Sequence, residues 1–162
     1  MTLVENVANR PTLHMQRHFD APRTLVWRAW TNPEVMVLWL GPVEWPAVSA
    51  SQDLRVGGAW RACLRSPDTG EELWQGGVYR EIVPGERLVF TFKWDESHED
   101  GPPVDTLVTV QLSDAPDGGT LMDFTHEGLK SEQSLTGHKH GWTSTFDRLE
   151  AFLKDQEQGD RP

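Results

Sequence analysis

Apolar and polar residues alternate through Leu13-His14-Met15-Gln16-Arg17-His18-Phe19, the two-residue period of a strand with one buried face. Two capped helical segments follow. The first, Val26-Trp27-Arg28-Ala29-Trp30, comes after Asp20-Ala21-Pro22, which supplies an N-cap and a proline for the opening turn. In the second, Asn32-Pro33-Glu34 repeats the signal and Gly41-Pro42 ends it. Three of the eight tryptophans, Trp27, Trp30 and Trp39, fall in this stretch. Both short helices are therefore expected to bury aromatic surface against the rest of the chain.

From residue 47 to 127 the pattern is strands divided by turn residues, namely Gly57-Gly58, Asp68-Thr69-Gly70, Pro84-Gly85, Gly101-Pro102-Pro103 and Asp117-Gly118-Gly119. Strands are predicted near residues 48–55, 59–65, 72–83, 86–94, 104–112 and 120–126, joined as hairpins into an antiparallel sheet. One face carries Leu88, Phe90, Phe92 and Trp94, then Val104, Val108, Val110 and Leu112, then Met122, Phe124 and His126. After Leu129 the period lengthens, and Leu135, His138, Trp142, Phe146, Leu149, Phe152 and Leu153 form the stripe of a long amphipathic helix. Such a stripe needs an apolar partner, and the sheet offers one. The fold class is therefore α+β, with a curved antiparallel sheet of about seven strands, two short helices and a long C-terminal helix.

Composition narrows the setting. With 162 residues and 37% hydrophobic content, one core is expected, as a single domain over residues 12–155 with flexible ends at 1–11 and 156–162. A net charge of -10 repels phosphate, which argues against nucleic acid or an anionic membrane surface as a partner. The longest apolar run, Val35 to Leu40, is too short to span a bilayer, and the N-terminus lacks the pattern of a signal peptide. A lone cysteine, Cys63, fits a reducing compartment, so a cytoplasmic location is expected.

Five segments extend the reading to a family. They are Phe19-Asp20-Ala21-Pro22 with Val26-Trp27-Arg28-Ala29-Trp30, then Trp39-Leu40-Gly41-Pro42, Gly57-Gly58-Ala59-Trp60-Arg61, Val83 to Thr91, and His140-Gly141-Trp142 leading into Phe146 to Leu153. In that order they resemble the SRPBCC or START-like superfamily. Within it they are most similar to the family named after the C-terminal domain of the activator of the heat-shock 90-kilodalton chaperone ATPase. The resemblance implies a helix-grip fold, in which the gap between sheet and helix is a cavity.

Strand parity and helix face suggest its lining: Trp39, Trp60, Leu64, Tyr79, Phe90, Phe92, Trp94, Phe124, His126, Trp142 and Phe146. Such an aromatic pocket suits a small hydrophobic or aromatic ligand, although the same side chains would also fill a closed core. Tyr79 and Trp74 have opposite phases unless a bulge at Gly76-Gly77 resets the register. His126 is the titratable group beside the apolar face, a candidate acid or base or else a hydrogen-bonded pocket histidine. Cys63 shares a phase with Arg61 and Arg65, which would favour a thiolate if the site is reactive and would mark a solvent face if it is not.

No metal site and no cofactor is expected. His138 and His140 face different ways on the helix, His14 and His18 share a strand face without a third ligand, and Asp95 to Gly101 reads as a solvated hairpin loop. Walker-type, dinucleotide and nucleophile-elbow motifs are missing from the sequence. The resemblance leaves three functions. They are a binding protein for a hydrophobic ligand, a cyclase, aromatase or hydrolase using His126 with Tyr79 or Arg61, and, by analogy with the family name, a chaperone-interaction module. A homodimer is compatible with each.

Overall fold

The computed structural model describes residues 10–96 and 101–159, with side chains described as far as residue 156. Expectations for the extreme ends, and for residues 97–100 of the acidic segment, lie outside the described residues. In chain order the elements are β1 (Thr12–Phe19), α1 (Arg23–Thr31), α2 (Pro33–Met36), β2 (Ala47–Gln52) and β3 (Ala59–Arg65). Then come β4 (Glu72–Val83), β5 (Arg87–Trp94), β6 (Thr106–Asp114), β7 (Thr120–Glu127) and α3 (Glu132–Gly159). The seven strands form one sheet in the order β1-β7-β6-β5-β4-β3-β2 with every neighbouring pair antiparallel. Consecutive hairpins build most of it, while β1 pairs with β7, and α1 and α2 connect one edge of the sheet to the other. This is the α+β helix-grip architecture.

The core lies between the concave face and α3. Trp30 of α1 sits at its centre, with ring centroids 4.9 Å from Trp39, 6.2 Å from Trp142 and 6.4 Å from Phe124. From the helix side, Phe146, Leu149 and Leu153 are fully or almost fully buried. Two arginines hold α3 in place. Arg148 donates to the carbonyls of Leu40 and Gly41, both at 2.8 Å, and to that of Leu38 at 3.1 Å. Arg17, on the inward phase of β1, reaches Asp147 at 2.5 Å. The accepting turn depends on Gly41, whose φ is +89° and where a side chain would collide with the Trp45 carbonyl.

Several expectations need correction. Asp20 does not cap the first helix: Pro22 itself occupies the cap position in an extended conformation, its carbonyl accepting from Leu25 at 3.0 Å, and Asp20 lies too early to reach the helix. Asn32 does cap the second, accepting from the Glu34 backbone at 3.0 Å. The sixth strand begins at Thr106, so Val104 precedes the sheet, and the final helix runs to Gly159, past residue 155. The register of β4 shifts between Tyr79 and Glu81 and not at Gly76-Gly77, leaving Tyr79 buried inside and Trp74 on the outer face. At Gly77 the chain needs its missing side chain for another reason, since a Cβ there would run into the Thr91 carbonyl. Thr91 serves the break in the ladder: its hydroxyl accepts from Val78 N at 2.8 Å and its carbonyl from the Trp60 indole at 2.9 Å.

Cys63 is on the outer phase as expected but is neither solvent-facing nor activated. Only 1% of its surface is exposed, because Trp74 stands opposite it and the Arg65–Glu72 pair beside it. Burial pushes the thiol pKa up and Glu72 adds to the rise, outweighing the opposite pull of Arg65.

Candidate functional site

The N-terminal half of α3 touches the sheet through His138 on Trp94 and Trp142 on His126, and beside these contacts the two layers part. An open cleft of about 660 Å³ remains there. Its sheet wall includes Leu64, Leu73, Gln75, Phe92 and Trp94, its roof is Gly137, His138, Gly141 and Trp142, and Trp45 and Val104 flank it. Small residues keep it open. A Cβ built at Gly137 or Gly141 meets nothing within 4 Å, so neither glycine is imposed by a neighbour, although each weakens the helix.

Of the side chains expected to line a pocket, Leu64, Phe92, Trp94 and Trp142 do face this cleft. Trp60, Tyr79 and Phe90 lie deeper, around a void of about 10 Å³ that they share with Trp142. Trp39, Phe124 and Phe146 are fully buried in the core and belong to neither space, the Trp39 indole being bonded to the Ala29 carbonyl at 3.0 Å. Parity places side chains on the inner face correctly but does not say where along the strand the helix touches down. The aromatic residues of the central strands meet it, and the cleft opens beyond them.

His126 is sealed beneath the cleft with no exposed surface. The Trp142 indole donates to its Nδ1 at 3.1 Å. An indole N–H can only donate, so Nδ1 is unprotonated and the proton sits on Nε2, 2.7 Å from the Thr106 hydroxyl. That hydroxyl in turn donates to the Phe92 carbonyl at 2.6 Å. Both ring nitrogens are thereby committed within the protein. Burial holds the His126 pKa well below the usual histidine range, and neighbouring His138 adds to the depression. His138 is fixed in the same manner, its Nδ1 donating to the Ser134 carbonyl at 2.8 Å and its Nε2 accepting from the Trp94 indole at 3.1 Å.

The partners suggested for His126 in catalysis are not assembled around it. The Tyr79 hydroxyl is 2.6 Å from Gln52 Nε2, and burial raises its pKa to about 12. Arg61 lies on the outer face of the sheet, bonded to Asp95 at 2.7 Å and 5.4 Å from the Trp74 ring. Facing the cleft, Glu44 and His140 approach to 3.6 Å, but both are exposed to solvent. His14 and His18 lean on Asp123 and Asp117 at 2.8 and 3.0 Å, on the outside of β1. Among the described residues no three histidine, cysteine or acidic side chains gather as metal ligands, and no helix is long and apolar enough to cross a membrane.

The family described as Activator of Hsp90 ATPase homolog 1-like protein matches residues 20–154. The chain belongs to that family. Solved structures agree in fold over nearly the whole chain. A Chromobacterium violaceum protein is 27% identical, with a TM-score of 0.75 over 88% of this chain and 97% of its own. An uncharacterised protein from Rhizobium leguminosarum is 30% identical, with a TM-score of 0.75 over 91% of this chain and 96% of its own. The AHSA1 protein of Silicibacter pomeroyi, 21% identical, matches in fold with a TM-score of 0.76 over 90% of this chain and 99% of its own. No curated protein matches the chain.

Family membership accounts for the fold that holds the cleft. Sequence reasoning overlooked Gln75, Trp45, Gly137 and Gly141. Parity does put Gln75 in phase with Tyr79, and the two glycines one helical turn apart are visible inside the amphipathic stripe. Trp45 has no such signal, because it lies between elements.

Proposed function

We propose that this protein binds a small, flat, predominantly apolar molecule in the cleft between the sheet and the N-terminal half of α3. The observation that carries this reading is the cleft itself, about 660 Å³ with Phe92, Trp94, Trp142 and Trp45 around it. That volume falls within the range of small-molecule sites, and the aromatic lining suits stacking on a planar ligand. The roof supports the same reading, since two glycines in a helix carry a cost that an empty surface would not require.

An enzymatic role finds less support. His126 has both nitrogens engaged and no exposed surface, so it has no lone pair or proton to offer a molecule in the cleft. A chaperone contact rests on the family name alone.

Thermal unfolding in the presence of naphthalene-class compounds tests the proposal. A ligand at a hundredfold excess over its Kd raises stability by about 2.7 kcal/mol. Gly141→Leu, which fills the roof without disturbing the core, is expected to remain folded and to lose the effect. An absence of any thermal shift across a broad panel of apolar aromatic compounds would overturn the reading.

A further inference from the structure

We propose that the ligand carries an uncharged hydrogen-bonding group, a hydroxyl, ketone or carboxamide, and that Gln75 on the sheet wall of the cleft selects it. The inference rests on the ligand-binding reading above and adds the chemistry of one end of the ligand.

Gln75 occupies an inward position of β4, opposite Ala62 on β3 and Trp94 on β5, with Leu73 before it and Gly77 after it on the same face. These neighbours are apolar. A leucine or valine would be the ordinary occupant of such a position, and glutamine is an expensive one unless its amide is satisfied. The residue is 3% exposed, and it borders the cleft. Among the described residues its carboxamide finds no hydrogen-bond partner, yet neither of its polar atoms is enclosed by protein. The accessible remnant of Gln75 therefore includes the end that can hydrogen-bond, and it faces the cleft.

Three polar side chains beside or beneath the cleft have their partners. His126 and Thr106 complete a chain ending on the Phe92 carbonyl, and His138 is held by Trp94 and Ser134. Gln75 differs from them in having both a donor and an acceptor turned toward whatever fills the space. A purely hydrocarbon ligand would strip water from that amide and give nothing in return. A carboxylate or ammonium group at this end would be set among Leu73, Ala62 and Trp94 on a sheet wall that carries no charge, the charged residues lining the cleft, Glu44 and Lys130, coming from the loop after α2 and the approach to α3. An uncharged hydroxyl or carbonyl meets both requirements, while the rest of the ligand lies against Phe92, Trp94 and Trp142.

The test is a matched pair of one shape, 2-naphthol and 2-methylnaphthalene, titrated by calorimetry into the full chain. A wholly apolar cleft would favour the methyl compound, which leaves water more readily. The expected result is that the wild type binds 2-naphthol about tenfold more tightly, and that the near-isosteric Gln75→Met reverses the order. If the wild type binds both but favours the methyl compound or shows no preference, the assignment of Gln75 is overturned while the cleft remains a ligand site. If Gln75→Met keeps the naphthol preference, selection lies elsewhere. If neither compound binds, the ligand-binding reading falls and this inference with it. The wild-type comparison stands alone should the substitution impair folding.

Discussion

The Trp142 indole and His126 Nδ1 are joined by a 3.1 Å hydrogen bond that links the long helix to the last strand through two otherwise apolar surfaces. The bond requires a neutral imidazole at Nδ1, and this makes stability depend on pH. In the unfolded chain a histidine takes up a proton near pH 6.5, whereas in the fold burial and His138 depress the His126 pKa. Below that pH the unfolded state binds the extra proton, so stability falls as pH falls, with a slope approaching about 1.4 kcal/mol per pH unit. The depressed carboxylates Glu72, Asp95 and Asp117 lose their contributions only at more acid pH, through the carboxylate range. Urea unfolding of the wild type and His126→Gln at pH 7.5 and 5.5 separates the effects. A loss of the same size in both proteins would remove His126 as its source.

Trp142 also stacks on Phe146 with ring centroids 5.5 Å apart and approaches Phe124 to 4.7 Å. Trp142→Ala is expected to cost about 3–5 kcal/mol in unfolding free energy. Trp142→Phe keeps much of the packing but leaves His126 Nδ1 without its donor, and is expected to cost about 1–3 kcal/mol. Chemical denaturation ranks the two, and an unchanged midpoint for the alanine variant would contradict the placement of the helix.

Arg148 holds three carbonyls of the turn after α2. Arg148→Met preserves the aliphatic stem and deletes the donors, with an expected loss of about 2–3 kcal/mol. Amide hydrogen exchange across residues 38–47 is expected to accelerate in the same variant. Unaltered exchange there would show that the turn is held by other means.

Cys63 is buried with its thiol pKa raised, so a thiol-specific reagent at neutral pH is expected to modify it far more slowly in the native protein than in urea. Comparable rates in the two conditions would refute this account of β3.

Gly137→Ala places a methyl group where no atom lies within 4 Å. Helix propensity predicts a gain of about 0.5–1 kcal/mol in the unliganded protein. A loss of stability in thermal melts would mean that the roof has no such free space.

Much of this fold was readable because its signals are local and repeated. The alternation through Leu88, Phe90 and Phe92 and the stripe through Trp142, Phe146, Leu149 and Leu153 place these residues where the structure has them. Turn glycines bounded the strands closely. What could not be read depends on where layers touch. Phe124 is a core residue and Trp94 a cleft residue, though both satisfy the same strand parity, and Phe146 is core where His138, on the same helix stripe, borders the cleft. Gln75 escaped attention because a polar residue on an inward phase looks like a lapse in the pattern until its surroundings are known. The fate of Cys63 depended on the bulk of Trp74 across the ladder, which no spacing rule conveys.

The long helix has a division of labour along its length. From Phe146 onward its buried side chains anchor it in the core, whereas Gln133, Gly137, His140 and Gly141 belong to the cleft and support little else. One half can therefore diverge while the other is held constant. Substitutions along the roughly two turns from Gln133 to Gly141 can reshape the cleft while the packing that fixes the fold, from Phe146 onward, stays as it is.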